Sequence, residues 1–145
     1  MSQETFVVAY DDDTADTGVL DCAIARAQKS GAKLLIIHVL EWSPYSFLSQ
    51  EELAARGKRR AEELDRARDH VIAPALERAK TAGVEAEGVT KHGSVADLVV
   101  RTARDASAAF IFVGRSGSGE ARARIFGSVP LAIAQVADIP TVIVP

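Results

Sequence analysis

The chain has 145 residues, enough for one domain with a sizeable core. Hydrophobic residues make up 48% and charged residues 26%, the balance of a globular protein, and a net charge of -3 gives no electrostatic reason to bind nucleic acid or an anionic membrane. No apolar run approaches the roughly 20 residues that cross a bilayer, Met1 to Glu4 opens no secretory signal, and Cys22 has no internal disulfide partner, so a cytoplasmic protein without membrane insertion is expected.

Thr5 to Tyr10 is a continuous apolar, β-rich run and reads as a buried strand of a parallel sheet. Asp11, Asp12 and Asp13 follow it. Asp16 or Thr17 would then cap a helix with apolar positions Val19, Leu20, Ala23, Ile24 and Ala27, stopped at Gly31. Lys33 to Val39 reads as a second buried strand, and Leu40 to Phe47, with Trp42, Pro44 and Tyr45, as a loop. Ser49 and Glu52 make a capping box that opens a long helix. Its charges, from Glu51 to Asp69, form a solvated face. Pro74 should kink or split that helix near His70, and Gly83 should end it.

Val84 to Lys91 alternates in part and reads as an edge strand. Gly93 and Ser94 would make the turn, with Ser94 capping a helix that carries Val95, Leu98, Val99 and Ala103 on one face. Ala109 to Val113 is a fourth strand. A helix from about Ser128 to Ala137, with Leu131, Ile133, Ala134 and Val136 apolar, leads through Pro140 to a last strand, Thr141 to Val144. Five strands alternating with four helical segments imply parallel strands with right-handed crossovers and helices on both faces of the sheet. Ligands of such sheets bind beyond the carboxyl ends of the strands, where the strand order reverses. The loops after the first and fourth strands are the candidates to flank that point.

Gly114 to Ser128 is the second of those loops. It holds Gly114, Gly117, Gly119 and Gly127, with Arg115, Arg122 and Arg124 against the single acid Glu120. Glycines at a strand end let backbone N–H groups close around an anion, and the following helix adds its N-terminal N–H groups. The stretch is either such a phosphate cradle or a surface loop whose glycines only turn the chain. Among other residues, His38 reads as a hydrogen-bonded core or rim histidine and His70 as solvated. His92 stands at a strand's carboxyl end, and Cys22 falls at a packing position. Trp42, Tyr45 and Phe47 either cover a bound base or pack locally.

Gly114, Gly117, Gly127 and Ser128 fit the pattern Gly-x2-Gly-x9-Gly-[Ser/Thr], between a fourth strand and a fourth helix. With Val8 to Asp11, His38, Val39, Gly93 and the closing Ile139 to Val144, the chain resembles the ATP-binding branch of the universal stress protein family along essentially its whole length. The resemblance implies a five-stranded parallel sheet of order 3-2-1-4-5 and adenine-nucleotide binding, ATP or else ADP or AMP. It implies that Ala9, Tyr10 and Asp11 line the adenosine side and that Val39 and Val113 contact base or ribose. Gly114, Gly117, Gly127, Ser128 and Val129 would hold phosphates through backbone N–H groups. It also implies a homodimer through Thr141 to Val144.

The chain departs from the family in its Asp11-Asp12-Asp13 run, where the family usually has Asp-Gly-Ser or Asp-x-Ser. Two unit charges about 5 Å apart interact by roughly 3 kcal/mol at an effective dielectric near 20, enough to weaken anion binding by about two orders of magnitude. The extra acids therefore hold Mg²⁺ or Mn²⁺, with Asp11 and Asp13 as ligands, or shift preference to a shorter phosphate chain, or cap the first helical turn. The functional expectation is a stress-response sensor or adapter that works by nucleotide occupancy. The alternatives are a slow ATPase or phosphotransfer protein and a dimeric interaction module that binds no nucleotide.

Overall fold

A computed structural model describes residues 3–10, 18–41, 50–115 and 128–145, with residues 41, 50–54, 56 and 128 described by backbone alone. It contains β1 (Thr5–Ala9), α1 (Gly18–Ser30), β2 (Lys33–Glu41), α2 (Gln50–Ala67), α3 (Ala73–Thr81), β3 (Ala86–Gly93), α4 (Val95–Asp105), β4 (Phe110–Gly114), α5 (Ser128–Val136) and β5 (Thr141–Val144). The strands make one parallel sheet in the order β3-β2-β1-β4-β5, as expected.

Alternation along the strands assigns the two faces of the sheet. Phe6, Val8, Leu34, Ile36 and Phe112 pack with Leu20, Ala23 and Ile24 of α1 and with Ala75 and Ala79 of α3. Val7, Ile37, Ile111 and Val113 pack on the other side with Val99, Val100 and Ala103 of α4 and Ile133 of α5. Each fully buried Val, Leu or Ile side chain contributes roughly 1.5–3 kcal/mol, so the two cores hold the helices to the sheet. Val100 and Thr102 are buried although the sequence placed neither on the apolar face of α4. The reason is that α4 packs on α5 as well as on the sheet.

The helix stops follow the glycines. Gly31 takes φ 75° and its N–H meets the Ala27 carbonyl at 2.8 Å. Gly83 takes φ 76°, its N–H meets the Lys80 carbonyl, and the Val84 N–H meets that of Ala79. That last bond draws Val84 into the end of α3. The third strand consequently starts at Ala86 rather than Val84, and it runs on to Gly93 beside an equally extended β2, through Leu40↔His92 and Glu41↔Gly93. The expected cap at Ser94 is only half present. Its backbone is extended and its carbonyl accepts the Leu98 N–H at 3.0 Å, but its side chain makes no capping bond. The caps expected at Asp16 or Thr17 and at Ser49 lie outside the described residues.

The expected break near His70 is a single π-helical turn, Arg68–Ile72, that joins α2 to α3 without ending the helix. A proline has no N–H to donate and crowds the carbonyl four residues back, which for Pro74 is that of His70. The wider turn absorbs this, and the Ala73 N–H reaches back to the Arg68 carbonyl. The turn also buries Val71 and Ile72 together. Farther along, Arg78 of α3 forms a two-bond ion pair with Asp21 of α1, at 2.6 and 3.1 Å. Hydrogen bonding to Asp21, and then its charge, raises the Arg78 guanidinium further above its ordinary value. In α5 only Ile133 of the four predicted apolar positions is fully buried, and Leu131 and Val136 remain 53% and 51% exposed.

Candidate functional site

β1 lies at the centre of the sheet. From it the chain moves outward to β2 and β3, then crosses back to β4 on the other side of β1. The strand order therefore reverses between β1 and β4, and the register Ala9↔Val113 sets their carboxyl ends side by side. Gly114 continues β4 opposite Val144, and the Arg115 N–H extends that ladder to the Val144 carbonyl at 2.7 Å. α5 joins the parallel neighbours β4 and β5, so it runs back along them and begins at the same end of the sheet, with Ser128 and Val129 in its first turn. That turn carries no acidic residue. Its N–H groups have no partner within the helix and present a positive end.

Four of the expected contact residues share one side of this crevice. Val113 is buried in the core beneath α4 and α5, and Ala9, Val39 and Val129 are half-buried against it. They belong to the apolar core beneath α4 and α5. Tyr10 departs from them, because its ring packs against the opposite core under α1 and α3. Its backbone is the part that stands at the crevice. Asp11, Asp12, Asp13, Gly117 and Gly127 lie outside the described residues, as do Trp42, Tyr45, Phe47, Arg122 and Arg124. The possible metal ligands Asp11 and Asp13 are thus not placed, and the described residues include no cluster of three His, Cys, Asp or Glu side chains able to hold a metal ion.

The three histidines separate clearly. His70 is exposed. His92 turns away from the crevice towards α2, with Nε2 3.3 Å from the Arg60 carbonyl and 3.7 Å from a Glu63 carboxylate oxygen. His38 is buried, 5% exposed, and its Nδ1 donates to the Tyr10 carbonyl at 2.9 Å. This bond reaches from β2 to the exit of β1, next to the crevice. Sequence reasoning expected a hydrogen-bonded histidine but not its partner, because the partner follows from strand pairing. Cys22 is half-buried against the α1 core, in keeping with packing.

The profile of the Universal stress protein family matches residues 3–145. The chain belongs to the universal stress protein family. Solved structures agree with the fold. Universal stress protein UspA from Lactobacillus plantarum is similar at a TM-score of 0.81 and 15% identity, with 100% of both chains covered. A universal stress protein in complex with cAMP gives 0.67 and 26% identity, covering 99% of this chain and 98% of that one. A family protein from Arabidopsis thaliana with AMP bound gives 0.63 and 18%, covering 99% and 90%. A comparison with curated proteins finds no matching sequence. No helix among the described residues is long and apolar enough to cross a membrane.

Proposed function

We propose that this chain binds an adenine nucleotide, ATP or its di- or monophosphate, between the ends of β1 and β4, and acts as a stress-response sensor or adapter through occupancy rather than turnover. The observation that carries this reading is the Ala9↔Val113 register. It sets the ends of β1 and β4 side by side, the strands that the aspartate run and the glycine loop follow in the sequence, with the first turn of α5 at the same end of the sheet. Family proteins solved with cAMP and with AMP support the adenine assignment.

In this reading the base and ribose lie along Ala9, Val39 and Val113 and the backbone of Tyr10. Gly114, Gly117, Gly127, Ser128 and Val129 direct N–H groups at the phosphates. Asp11 reaches the ribose or, with Asp13, a divalent cation. A bound Mg²⁺ or Mn²⁺ would offset the charge of the aspartates against the phosphate chain. Turnover would need a group that orients an attacking water, and the glycine motif supplies only donors to phosphate. The assembled form is a homodimer paired through β5.

Mass spectrometry of ligand released from the purified protein, then calorimetry with ATP, ADP, AMP and cAMP with and without Mg²⁺, tests the reading. Binding of at least one adenine nucleotide is expected. No binding at millimolar concentration would sink it. Gly117→Asp should abolish binding while the unfolding midpoint stays near that of the wild type, because the new carboxylate competes with phosphate for the same donors. Unchanged affinity in that variant would remove the glycine loop from the site.

A further inference from the structure

Among the described residues, His38 is the only ionisable side chain that is buried. It follows Leu34 and Ile36 along β2, on the face that α1 and α3 cover. A buried imidazole needs partners for its polar nitrogens. Nδ1 finds one in the Tyr10 carbonyl, 2.9 Å away. A carbonyl oxygen only accepts, so Nδ1 carries a proton whether the ring is neutral or charged. The Tyr10 N–H is held too, donating to the Ile37 carbonyl at 2.9 Å. Both polar backbone groups of Tyr10 are thus tied to β2, one by the backbone and one by the His38 ring.

The bond from His38 has a consequence beyond Tyr10. The Tyr10 carbonyl and the N–H of the next residue, Asp11, belong to one rigid peptide plane. Holding the carbonyl therefore holds the plane of that peptide at the exit of β1. The register Ala9↔Val113 puts that exit beside β4. Without the ring, the carbonyl loses a donor at a place where the chain passes from strand to loop, and the peptide gains freedom to turn.

We infer that His38 is a positioning residue for the nucleotide site: its Nδ1–H holds the Tyr10–Asp11 peptide, and adenine-nucleotide affinity depends on that hold. The inference rests on the nucleotide reading above. His38 acts through the backbone of Tyr10.

Two replacements separate the donor from the bulk. His38→Asn keeps an N–H close to where Nδ1 stands but leaves space in the core. His38→Leu fills the space but donates nothing. For each, calorimetry with AMP and with ATP plus Mg²⁺ gives affinity, and urea unfolding gives stability. Nitrogen-15 NMR of the ligand-free protein gives the ring tautomer and the Asp11 amide signal. The expected result is a protonated Nδ1 in the wild type. His38→Leu should shift the Asp11 amide and weaken AMP binding about tenfold or more. His38→Asn should retain most of the affinity even where it is the less stable variant. A histidine that only fills the core would give the opposite order, with affinity following stability and Leu above Asn. That order, equal affinities in all three proteins, or a bare Nδ1 in the wild type would overturn the inference. A wild-type chain that binds no adenine nucleotide would overturn the nucleotide reading and the affinity claim together, and the ring tautomer would then report separately on the hold itself.

Discussion

At the scale of single residues, two positions show how backbone needs decide side chains. Gly88 lies inside β3, where glycine weakens a strand and needs a reason. The reason is close approach: a Cβ at this position would collide with the Cγ2 of Ile72, which packs from the π-helical turn onto the strand. Gly88→Ala should therefore cost about 1–3 kcal/mol through overpacking, read as a fall in the urea midpoint. Adding Ile72→Leu, which has no methyl branch on Cβ, removes the colliding Cγ2 and should recover part of the loss. A double variant no more stable than Gly88→Ala alone would mean that the contact is not the cause. Ser107 shows the reverse case. At the end of α4 the Ser107 N–H meets the Arg104 carbonyl and the Ala108 N–H meets that of Ala103, the same pair of bonds that Gly83 arranges after α3. The pattern needs a left-handed residue, and Ser107 supplies it at φ 51°. Ser107→Gly should stabilise by about 0.5–1 kcal/mol, raising the melting temperature by roughly 2–4 °C for a chain of this size. A lower melting temperature would show that the serine hydroxyl contributes more than the strain removes.

At the scale of elements, α2 stands apart from the other helices. From Ala55 to Ala67, the described side chains that escape exposure are Arg60, Leu64 and Ala67, one narrow seam at helical spacing. The seam's link to β3 is His92, whose Nε2 sits near the Arg60 carbonyl and the Glu63 carboxylate. His92→Ala should loosen α2 while leaving the sheet intact. Hydrogen-exchange protection between residues 57 and 66 should fall about tenfold or more while that of β1 and β4 is unchanged. Equal protection in α2 would assign its docking to Leu64 and Ala67 alone. The charged, solvated character of this helix was legible in the sequence, as were the strands, because apolar runs between helical periods have few other readings. Strand ends were less legible. Leu40↔His92 and Glu41↔Gly93 lengthen β2 and β3 by pairing residues far apart in sequence, and no local pattern encodes that. Pro74 announced a break but not its form as a π turn, from which Ile72 packs against Gly88 across the fold. At the site, the alternation of elements offered the loops after the first and fourth strands as candidates, and the strand order that sets the reversal between them came from the family resemblance. The side taken by Tyr10 was not legible, because the run from Phe6 to Tyr10 is too continuously apolar for its parity to show which core each residue enters.

At the scale of the whole molecule, the sheet has two unlike edges. β3 carries Glu87 and Lys91, charges that discourage another strand from adding on. β5 reads Thr-Val-Ile-Val, with no charge, and ends a sheet whose last helix exposes Leu131 and Val136. An apolar edge of this kind calls for a cover, which is the physical ground for the proposed dimer. The ladder also says which backbone groups would make it. β4 donates from Ile111 to the Pro140 carbonyl and from Arg115 to the Val144 carbonyl. Residues of even number in β5 thus turn their N–H and C=O groups to β4, and Thr141 and Ile143 turn theirs outward. A proline lacks the N–H, so its effect should depend on the position that receives it. Ile143→Pro should leave the monomer folded and raise the dimer dissociation constant by about two orders of magnitude, measured by sedimentation over a range of concentrations. Val142→Pro, which removes a bond to β4, should instead lower the unfolding midpoint of the whole chain. If Ile143→Pro sediments as the wild-type dimer does, the subunits meet elsewhere. If the wild type is a monomer at every concentration, the open edge of β5 is tolerated and the dimer reading fails.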